Sequence, residues 1–361
     1  MTKTLDQLLT QQSFSREDLI RLLSVKGNDT QKVLDRALQV KAEAVGRKVY
    51  LRGLIELSNI CAKDCCYCGI RKSNKNVHRY TLSDEEVYAA ADFAWQKGFG
   101  SLVIQSGELI APAFTNHIER LLIGIHQRTN AELSITLSCG EQPLEVFKRW
   151  HQAGAHRYLL RIESTDRELY YQIHPHNSLH AYEKRIEGLK NLRKAGYQVG
   201  TGVMIGLPGQ TIENLADDLL FFKSMDLDMI GMGPYIEHAE TPLYDRRNLL
   251  WPTEERFRMS LLMIAGLRLL MPDINIASST ALETLDPLGR QSGLLAGGNV
   301  VMPNLTPVSN RLDYMLYDNK PNLDKDPALS TSSLNEVIEA IGEKICYYEQ
   351  GNSQHFLKRQ G

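Results

Sequence analysis

Three cysteines, Cys61, Cys65 and Cys68, are spaced C-x3-C-x2-C in the stretch Ile60-Cys61-Ala62-Lys63-Asp64-Cys65-Cys66-Tyr67-Cys68-Gly69. Thiolates suit iron–sulfur clusters, and a cubane takes one ligand per iron. Three protein ligands on a four-iron cluster leave one iron open, and an open position marks a catalytic metal rather than a structural one. A zinc site would ask for a fourth Cys or His at matching spacing. His78 is ten residues on and reads as a surface residue. A disulfide does not suit a chain without a secretory signal. Cys66 falls in neither gap and reads as a small buried residue.

The spacing resembles that of the radical S-adenosylmethionine (radical SAM) superfamily, down to the aromatic Tyr67 before the third cysteine and Gly69 after it. The resemblance implies one 4Fe-4S cluster on Cys61, Cys65 and Cys68. Its open iron would chelate the amino and carboxylate groups of S-adenosylmethionine, whose reductive cleavage yields a 5′-deoxyadenosyl radical.

What must position these groups is legible in the rest of the chain. Its 361 residues suit a (β/α)8 barrel, and a hydrophobic content of 43% supports a large core. A formal net charge of −2 gives no bulk reason to bind nucleic acid or an anionic membrane. No apolar run approaches the roughly 20 residues that span a bilayer. With no apolar signal core after Met1, a cytoplasmic location is expected. Short apolar runs at Val49–Leu57, Ser101–Gln105, Leu133–Leu137, Arg157–Ile162, Val199–Ile205, Asp228–Met232, Ile274–Ser278 and Asn299–Met302 alternate with amphipathic stretches, the pattern of parallel strands covered by helices. Ser83 with Glu86 predicts a capping box before Val87–Lys97, Thr211 caps Ile212–Met225, and Thr253 caps a helix through Leu270. The expectation is an α/β fold: a (β/α)8 TIM-type barrel over 47–317, a helical extension over 1–46 (Ser15 with Asp18 opening one helix, Thr30–Val45 forming another), and a C-terminal part over 318–361. In that part Pro321–Ser332 reads as a loop, and Ser333 with Glu336 opens a helix over Leu334–Gln350.

Catalytic groups of such barrels gather at the C-terminal ends of the strands. The cysteines follow the first strand. After the second comes Gly107-Glu108, ordinary turn composition that also resembles the superfamily's glycine–glutamate motif, with Glu108 toward the ligand's ammonium group. At the fourth strand Arg161 and Glu163 flank Ile162 and would point to one side. They form either a rim ion pair or, for Glu163, a ribose contact. Arg157, four residues from Arg161, would project with it. Arg185 on the following helix would meet the cofactor carboxylate. The fifth strand runs Gly200 to Thr211 and includes Met204 and Ile205. It lacks the Lys of a P-loop, and resembles the segment that contacts adenine, with Gln210 near a usually acidic position; tight strand–helix packing is the plainer reading. Ser279, Thr280, Arg311, Tyr314 and Tyr317 supply hydroxyls and a cation suited to a small anionic ligand.

Longer stretches narrow the resemblance. Ile55–Cys61, Asn76–Tyr80, Tyr158–Arg161, Gly206–Thr211, Gly233–His238 with Thr241–Leu243, and Val301–Pro307 are similar to the HydE family of FeFe-hydrogenase maturases. That family implies a part in assembling the di-iron subcluster, acting on a cysteine-bound iron–carbonyl–cyanide synthon from HydG and passing product to HydF, with ferredoxin or flavodoxin as electron donor. It also implies that Arg157, Arg161, Ser279, Thr280 and Tyr314 line the substrate cavity. Two departures stand out. Only Cys346 lies beyond the eighth strand, where some members bind a second cluster. Leu109-Ile110-Ala111 follows Glu108, where an Asp and aromatics would be expected. A methylornithine synthase-like mutase, a biotin synthase-like enzyme and a non-enzymatic iron–sulfur scaffold remain as alternatives. Biotin synthase places a cysteine on the fifth strand where this chain has Gly200.

Overall fold

The structure, a computed structural model, describes residues 3–324 and 327–361, the side chains of 327–333 excepted. Its strands are β1 (Lys48–Ser58), β2 (Ser101–Ser106), β3 (Ser134–Ser138), β4 (Ala155–Leu159), β5 (Gln198–Thr201), β6 (Met204–Ile205), β7 (Met229–Ile230), β8 (Gly233–Pro234), β9 (Asn275–Ile276), β10 (Val300–Val301) and β11 (Lys344–Ile345). Parallel pairing runs β10-β1-β2-β3-β4-β5-β7-β9. The free edges meet through the parallel bridge Ala277↔Val300, where Ser278 N–H donates to the Val300 carbonyl at 2.9 Å. Eight strands thus close a ring, each covered by helices, so β1 is buried on both faces. The short pair β6–β8 continues β5 and β7 toward the mouth.

Helix starts follow local chemistry. Ser83 and Glu86 form a reciprocal capping box at Asp84–Gln96, as do Ser15 and Asp18 at Arg16–Leu23, and Thr211 with Asn214 caps Ile212–Ser224. Thr253, expected as a cap, is instead the first helical residue behind Pro252. The helix Thr253–Leu270 is buried on nearly every side from Met259 onward, because the N-terminal helices Arg16–Leu23 and Asn28–Ala44 pack on the face away from the barrel.

The C-terminal part departs from expectation. The helix there is Pro327–Ala340, beginning earlier than Ser333 and ending near Gly342, whose φ of 73° is left-handed. The chain then adds β11 to the start of β1, Lys48↔Lys344. Residues 350–353 close the barrel bottom: Asn275 Nδ2 donates to the Gly351 carbonyl at 2.9 Å, and Ser353 N–H to Gln198 Oε1 at 3.0 Å. Helical periodicity over 341–350 yields to the unpaired edge groups of β1, which accept a new strand.

One buried acid links the barrel wall to a mouth loop. Asp218 is fully buried; its Oδ1 accepts from the Thr165 amide at 2.9 Å and hydroxyl at 2.5 Å, while Oδ2 has no partner among the described residues. Burial raises its pKa to about 7 against those two bonds. The folded chain therefore keeps a proton that the unfolded chain releases near about pH 4. This contribution to stability is full below about pH 4 and is lost as pH rises toward the folded pKa. Thermal melts should show the wild-type midpoint falling relative to that of Asp218→Asn between about pH 4 and 7; parallel curves would remove this assignment.

Candidate active site

The cysteine loop leaves β1 and is held by one arginine. Arg79 donates to four main-chain carbonyls, those of Asn59 (2.6 Å), Ile70 (2.7 Å), Arg71 (2.6 Å) and Asn74 (3.0 Å). A planar guanidinium with five fixed donors is suited to several carbonyls at once. Asn59 completes the closure: its amide donates to the His78 and Asp313 carbonyls and its oxygen accepts the Tyr80 N–H. His78 is an exposed residue beside Asp313, as expected.

Cys61 Sγ accepts main-chain N–H groups from Lys63 at 3.4 Å and Glu108 at 3.3 Å. Such donors suit a sulfur that carries charge as a metal ligand. Burial raises the thiol pKa of all three cysteines, Cys65 to about 12, so ligation must supply the energy that holds them as thiolates. Among the described residues no three Cys, His or acidic side chains converge on one metal ion. Gly107 makes the approach feasible, since a Cβ there would lie 2.3 Å from the Ile60 carbonyl oxygen and 2.9 Å from Cys61 Cβ. Gly69 is similarly close to the Met315 carbonyl. The other cysteines are dispersed: half-buried Cys66 packs against the cluster of Leu169, Ile173, Leu207, Tyr235 and Leu243, Cys139 Sγ faces the Ile104 carbonyl, and Cys346 lies beside β1 at the barrel bottom.

Behind the cysteines lies a buried network of four charges. Lys63 Nζ is 3.1 Å from Glu108 Oε1 and 3.1 Å from Glu141 Oε2. Arg185 Nε is 2.5 Å from Glu141 Oε1, and its Nη2 is 3.8 Å from Glu108 Oε2. Burial pushes both acids up. At Glu141 the close Arg185 and Lys63 outweigh it and hold the carboxyl low, whereas at Glu108 the more distant Arg185 does not, and its pKa stays raised. Glu108 and Arg185 thus sit together beside the cysteines. Glu141 and Lys63 were not singled out from sequence. The one available signal was that each lies within a residue or two of a strand-end cysteine.

Across the mouth, Arg161 grips Glu163 with Nε–Oε1 and Nη2–Oε2 both at 2.8 Å, and also donates to the Gly231 and Val203 carbonyls. The ion-pair alternative is therefore the observed geometry. Glu163 has a left-handed φ of 67°, a conformation that costs a non-glycine residue roughly 1–3 kcal/mol and is concentrated at functional sites. Arg157 does not join Arg161. It lies at the other end of the barrel, donating to Ser134 Oγ (2.8 Å), the Gln350 carbonyl (2.5 Å) and Asn352 Oδ1 (2.7 Å). The alternation of a strand cannot carry from 157 to 161 because β4 ends at Leu159. Gln210 does not face the mouth as a lone acceptor; it ties its own turn, accepting from Gly206 N–H at 2.6 Å and donating to the Met204 carbonyl at 3.0 Å. Tyr67 is within 3.4 Å of His174 Nε2, and Met204 and Ile205 form β6 as a lining edge.

On the side of the barrel toward β10, Ser279 Oγ is buried without a partner among the described residues, and Thr280 starts the helix Thr280–Leu285. Tyr314 is buried, with Lys320 5.5 Å from its ring centroid. Lys320 also pairs with Glu56, both side chains nearly inaccessible, and Asn304 Nδ2 donates to Glu56 Oε2 at 3.0 Å. Arg311 is buried and donates to the Thr306 and Asn304 carbonyls. It therefore supports this loop from within and does not present a cation to the mouth. Burial also raises the Tyr317 hydroxyl pKa. Lys320 had no sequence signal beyond a polar stretch.

These features define a radical SAM enzyme: a parallel barrel with three loop cysteines at its C-terminal mouth and an acid–base network beside them. A sequence profile described as the Radical SAM superfamily matches residues 55–222. The chain belongs to the HydE family of [FeFe] hydrogenase maturases: it is 38% identical over 339 residues to the [FeFe] hydrogenase maturase subunit HydE of Thermotoga maritima, covering 93% of each chain. It is 27% identical to a biotin synthase of Macrococcus caseolyticus over 88% of this chain and 90% of the relative. In fold it is similar to a methylornithine synthase crystal structure, with a TM-score of 0.79 at 23% identity over 96% of this chain and 98% of the other. No helix among the described residues is long and apolar enough to cross a membrane.

Arg79→Lys replaces a planar fork with a point charge and leaves two or more carbonyls unmatched. It should lower stability by about 3 kcal/mol, two lost charge-assisted bonds. It should also speed the loss of reconstituted iron to a chelator, followed by visible absorption. Iron retention equal to wild type would show that Arg79 does not hold the cluster loop.

Proposed function

We propose that this chain carries one 4Fe-4S cluster, on Cys61, Cys65 and Cys68, and uses it with S-adenosylmethionine in assembling the di-iron subcluster of FeFe-hydrogenase. The observation that carries the reading is the pair of main-chain donors on Cys61 Sγ, one of them from Glu108 itself. That donor couples the metal-ligand loop to the residue suited to the cofactor's ammonium group. When bound, the cluster and cofactor supply one-electron cleavage of a carbon–sulfur bond. Glu108 accepts from the ammonium, Arg185 pairs with the carboxylate, and Glu163 accepts from the ribose hydroxyls. Tyr67, Gly107 and the edge Met204–Ile205 shape the nucleoside pocket. Exchange of partners is chemically easy here, since each of these charges already has an opposite charge beside it and none is left bare on release.

The substrate is a small anionic ligand, in this reading a cysteine-bound iron–carbonyl–cyanide synthon. Arg161, Ser279, Thr280 and Tyr314 supply a cation and hydroxyls at the barrel mouth, and the buried unpartnered Ser279 Oγ favours a polar ligand there. HydG as source, HydF as acceptor and a ferredoxin or flavodoxin as donor complete the assignment. A biotin synthase-like reaction is disfavoured: Gly200 supplies no thiolate, and a Cβ there would meet Met229 Cγ at 2.5 Å.

Anaerobic reconstitution should give about four irons per chain, the content of one cubane. Cys65→Ala should abolish the visible absorption, and Cys66→Ala and Cys346→Ala should retain it. Loss of the chromophore in Cys346→Ala would overturn the assignment. With the partner maturases, wild type should activate apo-hydrogenase. Arg161→Lys should depress activation while background cofactor cleavage persists. Efficient cleavage with no activation by wild type would exclude the maturase role and favour a mutase.

A further inference from the structure

The reading just proposed needs an electron from outside the chain, and the structure presents a surface suited to the protein that brings it. Three loops meet at Lys63, directly behind Cys61. Lys63 accepts at its carbonyl from Lys72 N–H at 2.9 Å, and its ammonium reaches Glu108 and the Leu179 carbonyl. From these same loops three aliphatic side chains face solvent: Ile60 is 40% exposed, Ile110 60% and Leu179 40%. All three sit at or next to residues that touch the cysteine loop, where polar side chains would cost nothing. On the loop that bonds to the Lys63 carbonyl, Lys72 and Lys75 are exposed, and neither forms an ion pair among the described residues. The neighbouring Arg71, in contrast, is matched by Asp64 at 2.9 Å.

We propose that Ile60, Ile110 and Leu179, flanked by Lys72 and Lys75, form the docking surface for an acidic, low-potential one-electron carrier protein of the ferredoxin type. This inference rests on the cluster assignment above. Exposed apolar side chains clustered at a site and rimmed by charge mark protein–protein contacts. Unpaired lysines steer an acidic partner and set its orientation. A small interface suits an encounter that must form, transfer and release. In the step itself one electron leaves the carrier's reduced centre and enters the cluster. The carrier is oxidised by one electron, no bond is made or broken, and no proton need move. Ile60 precedes Cys61 in the chain and Lys63 N–H bonds to Cys61 Sγ, so the surface begins at the cysteine loop itself. Leu109-Ile110-Ala111, where the family resemblance led to an Asp and aromatics, also becomes intelligible, because an acid there would repel an acidic partner.

The test compares wild type with Lys72→Glu/Lys75→Glu and with Ile110→Asp. Lys72→Gln/Lys75→Gln serves as a milder pair in case charge reversal lowers yield. Calorimetry with an oxidised two-cluster bacterial-type ferredoxin, on protein as purified, reads docking without any turnover. The expected result is an affinity weakened by about tenfold in the double charge reversal, with a shallower salt dependence. Ferredoxin-driven cofactor cleavage should fall in parallel, and cleavage driven by dithionite should stay at the wild-type rate. Unchanged affinity and unchanged ferredoxin-driven rate in all three variants would overturn the proposal. So would an equal fall in the dithionite-driven rate, which would place these residues in the site itself. So would a wild-type dimer that the substitutions dissolve in sedimentation, which would assign the surface to a second copy of the chain. If wild type fails to cleave the cofactor even with dithionite, the radical SAM reading falls, while the calorimetry still decides docking.

Discussion

Four charges with almost no access to water organise the mouth of this barrel. Lys63 comes from the loop after β1, Glu108 from the loop after β2, Glu141 from the loop after β3 and Arg185 from the helix after β4. Two cations and two anions balance, so the group can be buried. Removing any one would leave an uncompensated charge, at a cost of about 3–5 kcal/mol. The network therefore fixes three successive loops and a helix relative to one another. Through Glu108 N–H and Lys63 N–H it also fixes the orientation of Cys61. Mutual satisfaction gives rigidity, and the longer contact of Glu108 with Arg185 leaves that carboxylate the member most able to change partner.

The two ends of the barrel solve opposite problems. At the bottom, Arg52 and Arg157 are buried without acidic partners among the described residues and are met by carbonyls of the C-terminal segment 350–352. Carbonyl dipoles compensate a guanidinium less well than a carboxylate does, and burial lowers the pKa of Arg157. At the mouth, Arg161 has a bidentate carboxylate and Lys320 has Glu56. The mouth thus holds paired charges that can be re-paired with a ligand, and the bottom holds charges whose partners are neutral groups, in part those of a covering segment. Sequence proximity placed Arg157 and Arg161 together; the end of β4 separates them.

Much of the architecture was legible because it rests on local rules. Capping boxes at Ser15, Ser83 and Thr211 stand where their residue types require, and the apolar runs became strands because each had to be covered on both faces. Strand lengths were overestimated after β5: Val199–Ile205 divides into β5 and β6, and Asp228–Met232 shrinks to β7. Apolar composition reports burial, and these residues are buried, but hydrogen-bonded pairing is limited by how a closed ring twists away from its neighbours.

The C-x3-C-x2-C spacing, Gly107-Glu108 and the order of strand ends were sufficient to bring the candidate metal ligands to the mouth, since residue type and spacing are chemical properties of a short segment. Glu141, Lys63, Arg79, Glu56 and Lys320 were not legible. Lone charged residues in a sequence look alike whether they end in solvent or in a buried pair. Only the tertiary structure decides which of them face one another, because a buried charge is stabilised by a distant partner, as Glu56 is by Lys320, 264 residues away. The fold class followed from periodicity that every strand repeats, and the wiring of the site followed from juxtapositions that each occur once.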